Sequence, residues 1–438
     1  MMVLAALLGA ATIPTLWVRR NEASIMPPEP LPLGGYTARG DHVFEPGGDD
    51  LKARVAVLEQ GSLRVAVVSV EMLTIPGSLS RAVRERLPED VELVLCATHT
   101  HCAPDSQMLN ERMTAAIPGI ATFKRRWLEW YAQEIALAVR GALVAKPSPF
   151  ALDLRISEPT HEGAWLNRPR RKLGRPDPAF STLGGLATLY AAHPTLLGDD
   201  ERRLRGDWPG ELARQTGLLP LVGAIGDRSP TPVPDGPEGF ARRLLAAPAK
   251  RIAANPEPIM RLAREPIALA PATPSQSFIE SNKVPEPLAK MLVGRFAEPE
   301  AEVTVVTLDG VALIFVPGEP TSGIATLVAS RAAQASLFPL MVGLATNWIG
   351  YILTPEDYDE GGYEGSLAFH GRETGLRVVE AVSRALDRIR ASRSGSEAAS
   401  RTPRARRSNG SSSQPLWSSV RSGSATRGSV RPSAALWP

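Results

Sequence analysis

The chain has 438 residues, 43% apolar and 22% charged, which is enough to bury a large core and excludes a disordered or collagen-like polymer. The formal charge of +3 is unevenly placed: residues 392–438 hold eight Arg and one Glu, so residues 1–391 carry a net −4. A mildly acidic body with a basic tail argues against a nucleic-acid-binding face on the folded part, and no nucleic-acid partner is expected.

Residues 1–18 carry no charge and end at Arg19-Arg20, so residues 1–25 read as a signal-like or anchoring segment. The segment lacks a basic N-terminal flank and Pro14 interrupts it, which leaves a misplaced start site as the alternative. Export or membrane association is the expectation, with a cytoplasmic location as its competitor. After a Pro-rich stretch from Met26 to Gly35, the apolar segments Ala53–Leu58 and Leu63–Val70 flank Gln60-Gly61 and predict a hairpin. Val91–Ala97 predicts a buried strand. Phe123, Trp127, Tyr131, Ile135 and Val139 recur every four residues, the period of an amphipathic helix.

Further apolar runs at 185–192, 218–225, 303–308, 311–316 and 340–345 predict strands, several of them ending at a polar cluster that contains His, Asp, Glu or Asn. Helical periodicity occupies Gly239–Ala253, Ser322–Ala335 and Glu373–Ile389. The pattern predicts an α/β fold, a mixed β-sheet core flanked by helices, as one large catalytic domain over residues 26–391 with its active site at strand ends. Residues 392–438, rich in Arg, Ser and Gly, predict a disordered tail.

The chemistry concentrates first in Cys96-Ala97-Thr98-His99-Thr100-His101-Cys102. Two-residue alternation puts His99 and His101 on one face and both thiols on the other, so the histidines can share a metal site that the thiols do not enter. An extended path between Cys96 and Cys102 exceeds disulfide reach, and free thiols are expected. The chain has only six His. A third candidate, His193, follows one apolar run in Ala-Ala-His-Pro-Thr; Glu319 follows another in Val-Pro-Gly-Glu-Pro-Thr; Gly350-Tyr351 follows the run through Ala345. Such scattered ligands at strand ends suit a catalytic metal site, which needs about three protein ligands and one open position. A metallo-β-lactamase pattern would require Asp and His where Ala103 and Pro104 stand. An amidohydrolase barrel would open with its His-x-His on the first strand, whereas here a hairpin precedes it.

Seven ordered blocks then resemble the neutral/alkaline, non-lysosomal ceramidases: Pro32-Leu-Gly-Gly-Tyr-Thr-Ala-Arg39; Leu51–Leu58; Ala97-Thr-His-Thr-His-x-x-Pro104; Ala192-His-Pro-Thr195 with Gly206-Asp-Trp-Pro-Gly210; Gly226-Asp-x-Ser-Pro230; Pro317-Gly-Glu-Pro320; and Gly350-Tyr351 through Thr354-Pro-Glu356 and Tyr358 to Tyr363-Glu-Gly365. The resemblance implies a zinc-dependent hydrolase that cleaves the amide of ceramide or a ceramide-like N-acyl lipid. It implies zinc held by His99, His193, Glu319 and Tyr351, substrate contacts from His101, Arg168 and Tyr363, and Ser229 as the catalytic serine. His101 is then the natural proton carrier to the leaving amine. Either Ser229 or water can serve as nucleophile. The implied partner is an amphiphilic N-acyl lipid, with contact at a membrane surface; His42, His161 and His370 are expected to be structural or exposed.

Departures from the family pattern fall in the expected cleft. Arg228 precedes the serine and Pro230-Thr231 follows it, where Pro-Asn is usual; Cys102-Ala103-Pro104-Asp105 replaces Ser-Gly-Pro-Gly. A helix and the Arg/Ser tail take the place of the family's immunoglobulin-like β domain. A zinc hydrolase of another N-acyl amide or ester, and a non-catalytic lipid-binding homologue, are the competing expectations.

Overall fold

In a computed structural model, residues 14–159, 164–166 and 178–400 are described, without side chains at 164–166 and 393–400. Trp17–Ser24, Lys52–Gln60, Leu63–Val70 and Val91–Ala97 form a sheet in which Trp17–Ser24 lies antiparallel to Lys52–Gln60 on one side and Ser148–Pro149 on the other. The strand Lys52–Gln60 continues the hairpin into Leu63–Val70, which runs parallel to Val91–Ala97. The fold thus builds a strand from residues that composition alone groups with the N-terminal segment. Their alternating exposure fits this, with Val18 buried and Arg19 and Arg20 directed to partners at the surface.

Two sheets stack between helices. On one face of the first sheet, Val55, Val57, Val68 and Leu95 pack against Trp127, Tyr131, Ile135 and Val139 of the helix Arg125–Val144. On its other face, Ala56, Leu58, Val67 and Val94 meet Val306, Leu308, Leu313 and Val342. These belong to a sheet of Met260–Pro266, Glu302–Leu308, Val311–Phe315 and Phe338–Val342. That sheet's far face, with Val303, Val305, Ile314 and Val316, is covered by the helices Ser322–Gln334 and Thr374–Ser400. Strands buried on both sides need no polar face, which is why they read as continuous apolar runs. Each fully buried Val or Leu contributes roughly 1.5–3 kcal/mol relative to exposure.

A further sheet of Leu152–Ser157, Phe180–Leu183, Ala187–Tyr190, Leu219–Val222 and Ala249–Asn255 completes the body. The helix expected over Gly239–Ala253 stops at Ala246, because Pro248 denies the next residues a helical hydrogen bond. Ala249–Asn255 instead pairs antiparallel with Leu152–Ser157 as an exposed edge. The last helix runs on to Ser400, past the tail boundary read at 391; residues 401–438 lie outside the described residues. Among the described residues no helix is long and apolar enough to cross a membrane.

Three parallel neighbours decide where chemistry can sit. They are Leu63–Val70 beside Val91–Ala97, Ala187–Tyr190 beside Leu219–Val222, and Val311–Phe315 beside Phe338–Val342. The loops leaving their C-terminal ends carry His99 and His101, His193 and Ser229, and Glu319 and Tyr351 respectively. Ligand sites in α/β sheets favour this crevice outside the carboxyl ends of strands.

Candidate metal centre

The histidine pair reaches the site by a turn rather than by strand alternation. The strand ends at Ala97, and His99 adopts a left-handed backbone (φ 64) while its N–H donates to the Met72 carbonyl at 2.9 Å. A non-glycine residue in that region stores strain and marks a constrained position. The rings of His99 and His101 still share one cleft, 4.9 Å apart and nearly perpendicular. Both cysteines are buried free thiols, and burial pushes the Cys102 thiol up to about 12.

His193 is fixed by the loop that carries the serine. Its backbone N–H and its Nδ1 both reach the Arg228 carbonyl, at 2.9 and 3.1 Å, and Trp208 Nε1 donates to the His193 carbonyl at 3.3 Å. Glu319 and Tyr351 are paired residues of a short parallel bridge, so their side chains emerge together. Glycine is required beside each of them. A Cβ at Gly318 (φ 141) would meet the Gly350 carbonyl at 2.4 Å, and one at Gly350 (φ 90) would meet the Leu367 carbonyl at 2.2 Å.

Donor atoms converge from all four residues. His193 Nε2 lies 3.1 Å from Glu319 Oε2, His99 Nε2 lies 3.4 Å from the same oxygen, and the Tyr351 hydroxyl lies 3.3 Å from His193 Nε2. The ligand atoms of His99, His193 and Glu319 all lie within 4.8 Å of one another, the compass of a single metal site. His99, His193 and Glu319 are buried and form the one three-ligand His/Cys/Asp/Glu group found among the described residues.

The outer hydrogen bonds leave the Nε2 atoms facing inward. His99 Nδ1 reaches the Leu73 carbonyl at 2.7 Å, and His193 Nδ1 reaches that of Arg228. A carbonyl only accepts, so each Nδ1 carries a hydrogen, and each Nε2 is left either to bind a metal ion or to carry a proton shared with Glu319 Oε2. Trp348 Nε1 donates to Glu319 Oε1 at 2.8 Å, reserving Oε2. Nitrogen and oxygen atoms buried this closely require a cation among them, a proton or a metal ion. Burial raises the Glu319 carboxyl, but His99 and His193 outweigh it and hold it well below the usual range. Burial lowers His193, and Glu319 more than reverses this. Burial, then the Glu319 charge, keep the Tyr351 phenol protonated far above its ordinary value.

If this group holds a metal ion, removal of the indole donor in Trp348→Phe is expected to weaken the affinity for it by about 10–100-fold without unfolding the protein, the usual consequence of losing an outer-shell partner. Competition with a fluorescent zinc chelator measures it; unchanged affinity would show that the bond to Oε1 does not orient Glu319.

Around this group, His101 lies 6.3 Å from His193 by ring centroid, and both of its ring nitrogens are buried without a hydrogen-bond partner among the described residues. Burial, then repulsion from His99 and His193, depress its proton affinity well below that of a free histidine, so the ring is neutral rather than near half-protonation at neutral pH. Tyr363 meets the Tyr351 ring edge-on at 5.9 Å and is 45% exposed, at the outer side of the cluster. Ser229 is half-buried beside the Arg228 carbonyl that holds His193, in a short pairing with Trp165. The preceding Asp227 is wholly buried and accepts from the Ser322 N–H (2.8 Å) and hydroxyl (2.6 Å), tying the serine loop to the Glu319 loop.

Arg168 and His161 lie outside the described residues. His370 is buried with its Nδ1 on the Ala270 carbonyl, while His42 is exposed. Sequence reading overlooked Trp348, although Asn347-Trp348 stands directly before Gly350-Tyr351, and an indole near a predicted carboxylate ligand is a usable signal.

No family model and no curated protein sequence matches the chain. Its fold is similar to that of two solved structures. Neutral ceramidase from Pseudomonas aeruginosa superposes with a TM-score of 0.71 at 15% identity, over 87% of this chain and 75% of that one. A ceramidase complexed with C2 gives 0.71 and 15%, over 87% and 76%. The chain has a neutral ceramidase-like fold.

Proposed function

We propose that this chain is a zinc-dependent hydrolase of the amide bond in ceramide or a ceramide-like N-acyl lipid, releasing a fatty acid and a sphingoid-type amine. The observation that carries the reading is the convergence of the His99, His193, Glu319 and Tyr351 donor atoms in one buried cluster. It lies at the strand ends of a fold shared with ceramidases. Two imidazoles, one carboxylate and a phenol suit zinc, and in this role the ion supplies Lewis-acid polarisation of the scissile carbonyl.

The chain's own groups do the rest. His101, held neutral, takes the proton of the attacking nucleophile and delivers it to the leaving nitrogen, so that the amine departs uncharged. Its partnerless ring nitrogens suit this, because no structural hydrogen bond must break first. Tyr351, with its hydroxyl 3.3 Å from His193 Nε2, stabilises the carbonyl oxygen as charge develops there. Ser229 acts as nucleophile or aligns water. Tyr363 contacts the substrate on the outer side, and Arg168 is a second substrate contact by the family resemblance of Asn167-Arg168 alone.

Purified full-length protein is expected to contain about one zinc per chain by elemental analysis. It should hydrolyse short-chain ceramides faster than N-acyl amino acids or esters, losing activity to chelation and regaining it with added zinc. A metal-free protein that binds no zinc would overturn the reading; preference for another N-acyl compound would keep the chemistry and replace the substrate.

A further inference from the structure

Resting on the reading of His101 as proton carrier, we propose that Arg39 is its positioning residue, acting through a cradle completed by Gly35 and Tyr36. His101 needs such a device because its ring nitrogens have no hydrogen-bond partner among the described residues. The other site groups are each aimed by a polar contact: His99 by the Leu73 carbonyl, His193 by that of Arg228, and Glu319 by the Trp348 indole.

Two sides of the His101 ring are set by residues 35–36, and Arg39 backs the second. Gly35, in a left-handed conformation (φ 89), lies flat against the ring; a Cβ there would come within 2.6 Å of His101 Cγ and Nδ1. The Tyr36 ring faces the imidazole at 4.8 Å, and its hydroxyl donates to the Leu197 carbonyl at 2.9 Å. The Arg39 guanidinium lies 4.7 Å over the opposite partner in this stack, the Tyr36 ring.

Arg39 locks the backbone of the same pieces. Its Nη1 donates to the Gly34 carbonyl (3.1 Å) and to the carbonyl of His101 itself. Nη2 donates to the Gly198 carbonyl (2.8 Å) and meets Cys102 Sγ at 3.6 Å, and Nε donates to the Asp199 carbonyl at 3.2 Å. The side chain is 1% exposed and forms no ion pair with a carboxylate among the described residues. A buried cation satisfied only by carbonyls and a thiol is a costly way to brace a loop. Its fork geometry lets one side chain fix His101's carbonyl, its glycine wall and its aromatic neighbour together.

The test uses zinc-loaded full chain carrying Arg39→Met, Arg39→Lys or Tyr36→Leu, each also made with His101→Ala. With the amide substrate that the wild type hydrolyses, Arg39→Met should retain about one zinc per chain, keep KM within roughly 3-fold, and lower kcat on the order of 10²-fold, the loss that small misplacement of a catalytic group produces. In the His101→Ala background the same substitution should cost less than about 2-fold, because the residue it positions is gone. An equal loss in both backgrounds would overturn the proposal.

A second arm does not depend on activity. With only six His in the chain, ¹⁵N-histidine labelling resolves the rings by NMR. The His101 signals should move in Arg39→Met and Tyr36→Leu, with those of His99 and His193 in place and a smaller displacement in Arg39→Lys. Unmoved His101 signals would sink the proposal. If the wild type hydrolyses no amide, the functional reading fails and this arm still decides the role of Arg39. Should Arg39→Met fail to fold, Tyr36→Leu and Arg39→Lys carry the same comparison.

Discussion

On the proposed reading as a zinc hydrolase, His193→Ala is expected to lose zinc and hydrolytic activity together. The substitution deletes one donor of the four and also removes the partner 3.1 Å from Glu319 Oε2. Loss of a direct ligand should exceed the roughly 10–100-fold affinity change of an outer-shell substitution. Activity should fall by at least about 10³-fold, or roughly 4 kcal/mol of transition-state stabilisation. Stability provides an independent readout. Glu319 is 2% exposed and is held ionised by His99 and His193. Stripped of His193 and the ion, its carboxylate is left with less compensation; breaking a buried charged pair typically costs about 3–5 kcal/mol, so the thermal midpoint should drop by several degrees. Elemental analysis and thermal unfolding on the same sample check both. Full zinc occupancy in His193→Ala would place the metal elsewhere.

Ser229→Ala should separate chemistry from metal binding. Ser229 sits beside the carbonyl that orients His193, but that contact comes from the Arg228 backbone and survives the loss of a hydroxyl. Zinc content and the unfolding midpoint are therefore expected to stay at wild-type values while kcat falls. A positioning hydroxyl accounts for a loss on the order of 10²-fold, as for one donor to developing charge. A nucleophilic serine predicts a larger loss, together with a burst of released amine in the wild type as an acyl-enzyme accumulates. Rapid-quench measurement of the amine distinguishes them. Wild-type activity in the variant would remove Ser229 from the mechanism.

Much of the candidate site was legible before the fold was known, because its residues are local punctuation. His193, Glu319 and Tyr351 each follow an apolar run that forms a strand, and a strand's end is where a polar side chain can leave the core. The glycines before Glu319 and Tyr351 belong to the same motifs, and the fold shows why glycine stands there: a Cβ at either position would clash with a carbonyl. The alternation argument for His99 and His101 reached the right cleft by the wrong geometry, since the strand ends two residues before His99.

Periodicity and composition by themselves determined the mixed α/β class, the buried character of the main strands, the amphipathic helix through Trp127 and Tyr131, and the set of residue types able to hold a metal. They misread Ala249–Ala253, most of the strand Ala249–Asn255, as helix, because a strand at an exposed edge has no buried face to impose a two-residue period. They also separated Trp17–Ser24 from the domain, because that strand's membership depends on pairing with Lys52–Gln60 nearly 30 residues later. Only the tertiary structure decided that three parallel strand pairs end around one point and that His99 and His193 turn their Nε2 atoms inward. It alone decided that Trp348 claims one oxygen of Glu319 and that His101 is neutral. Each of those facts depends on distances between segments far apart in the chain and on the burial they create together, and neither quantity is a property of any local stretch of sequence.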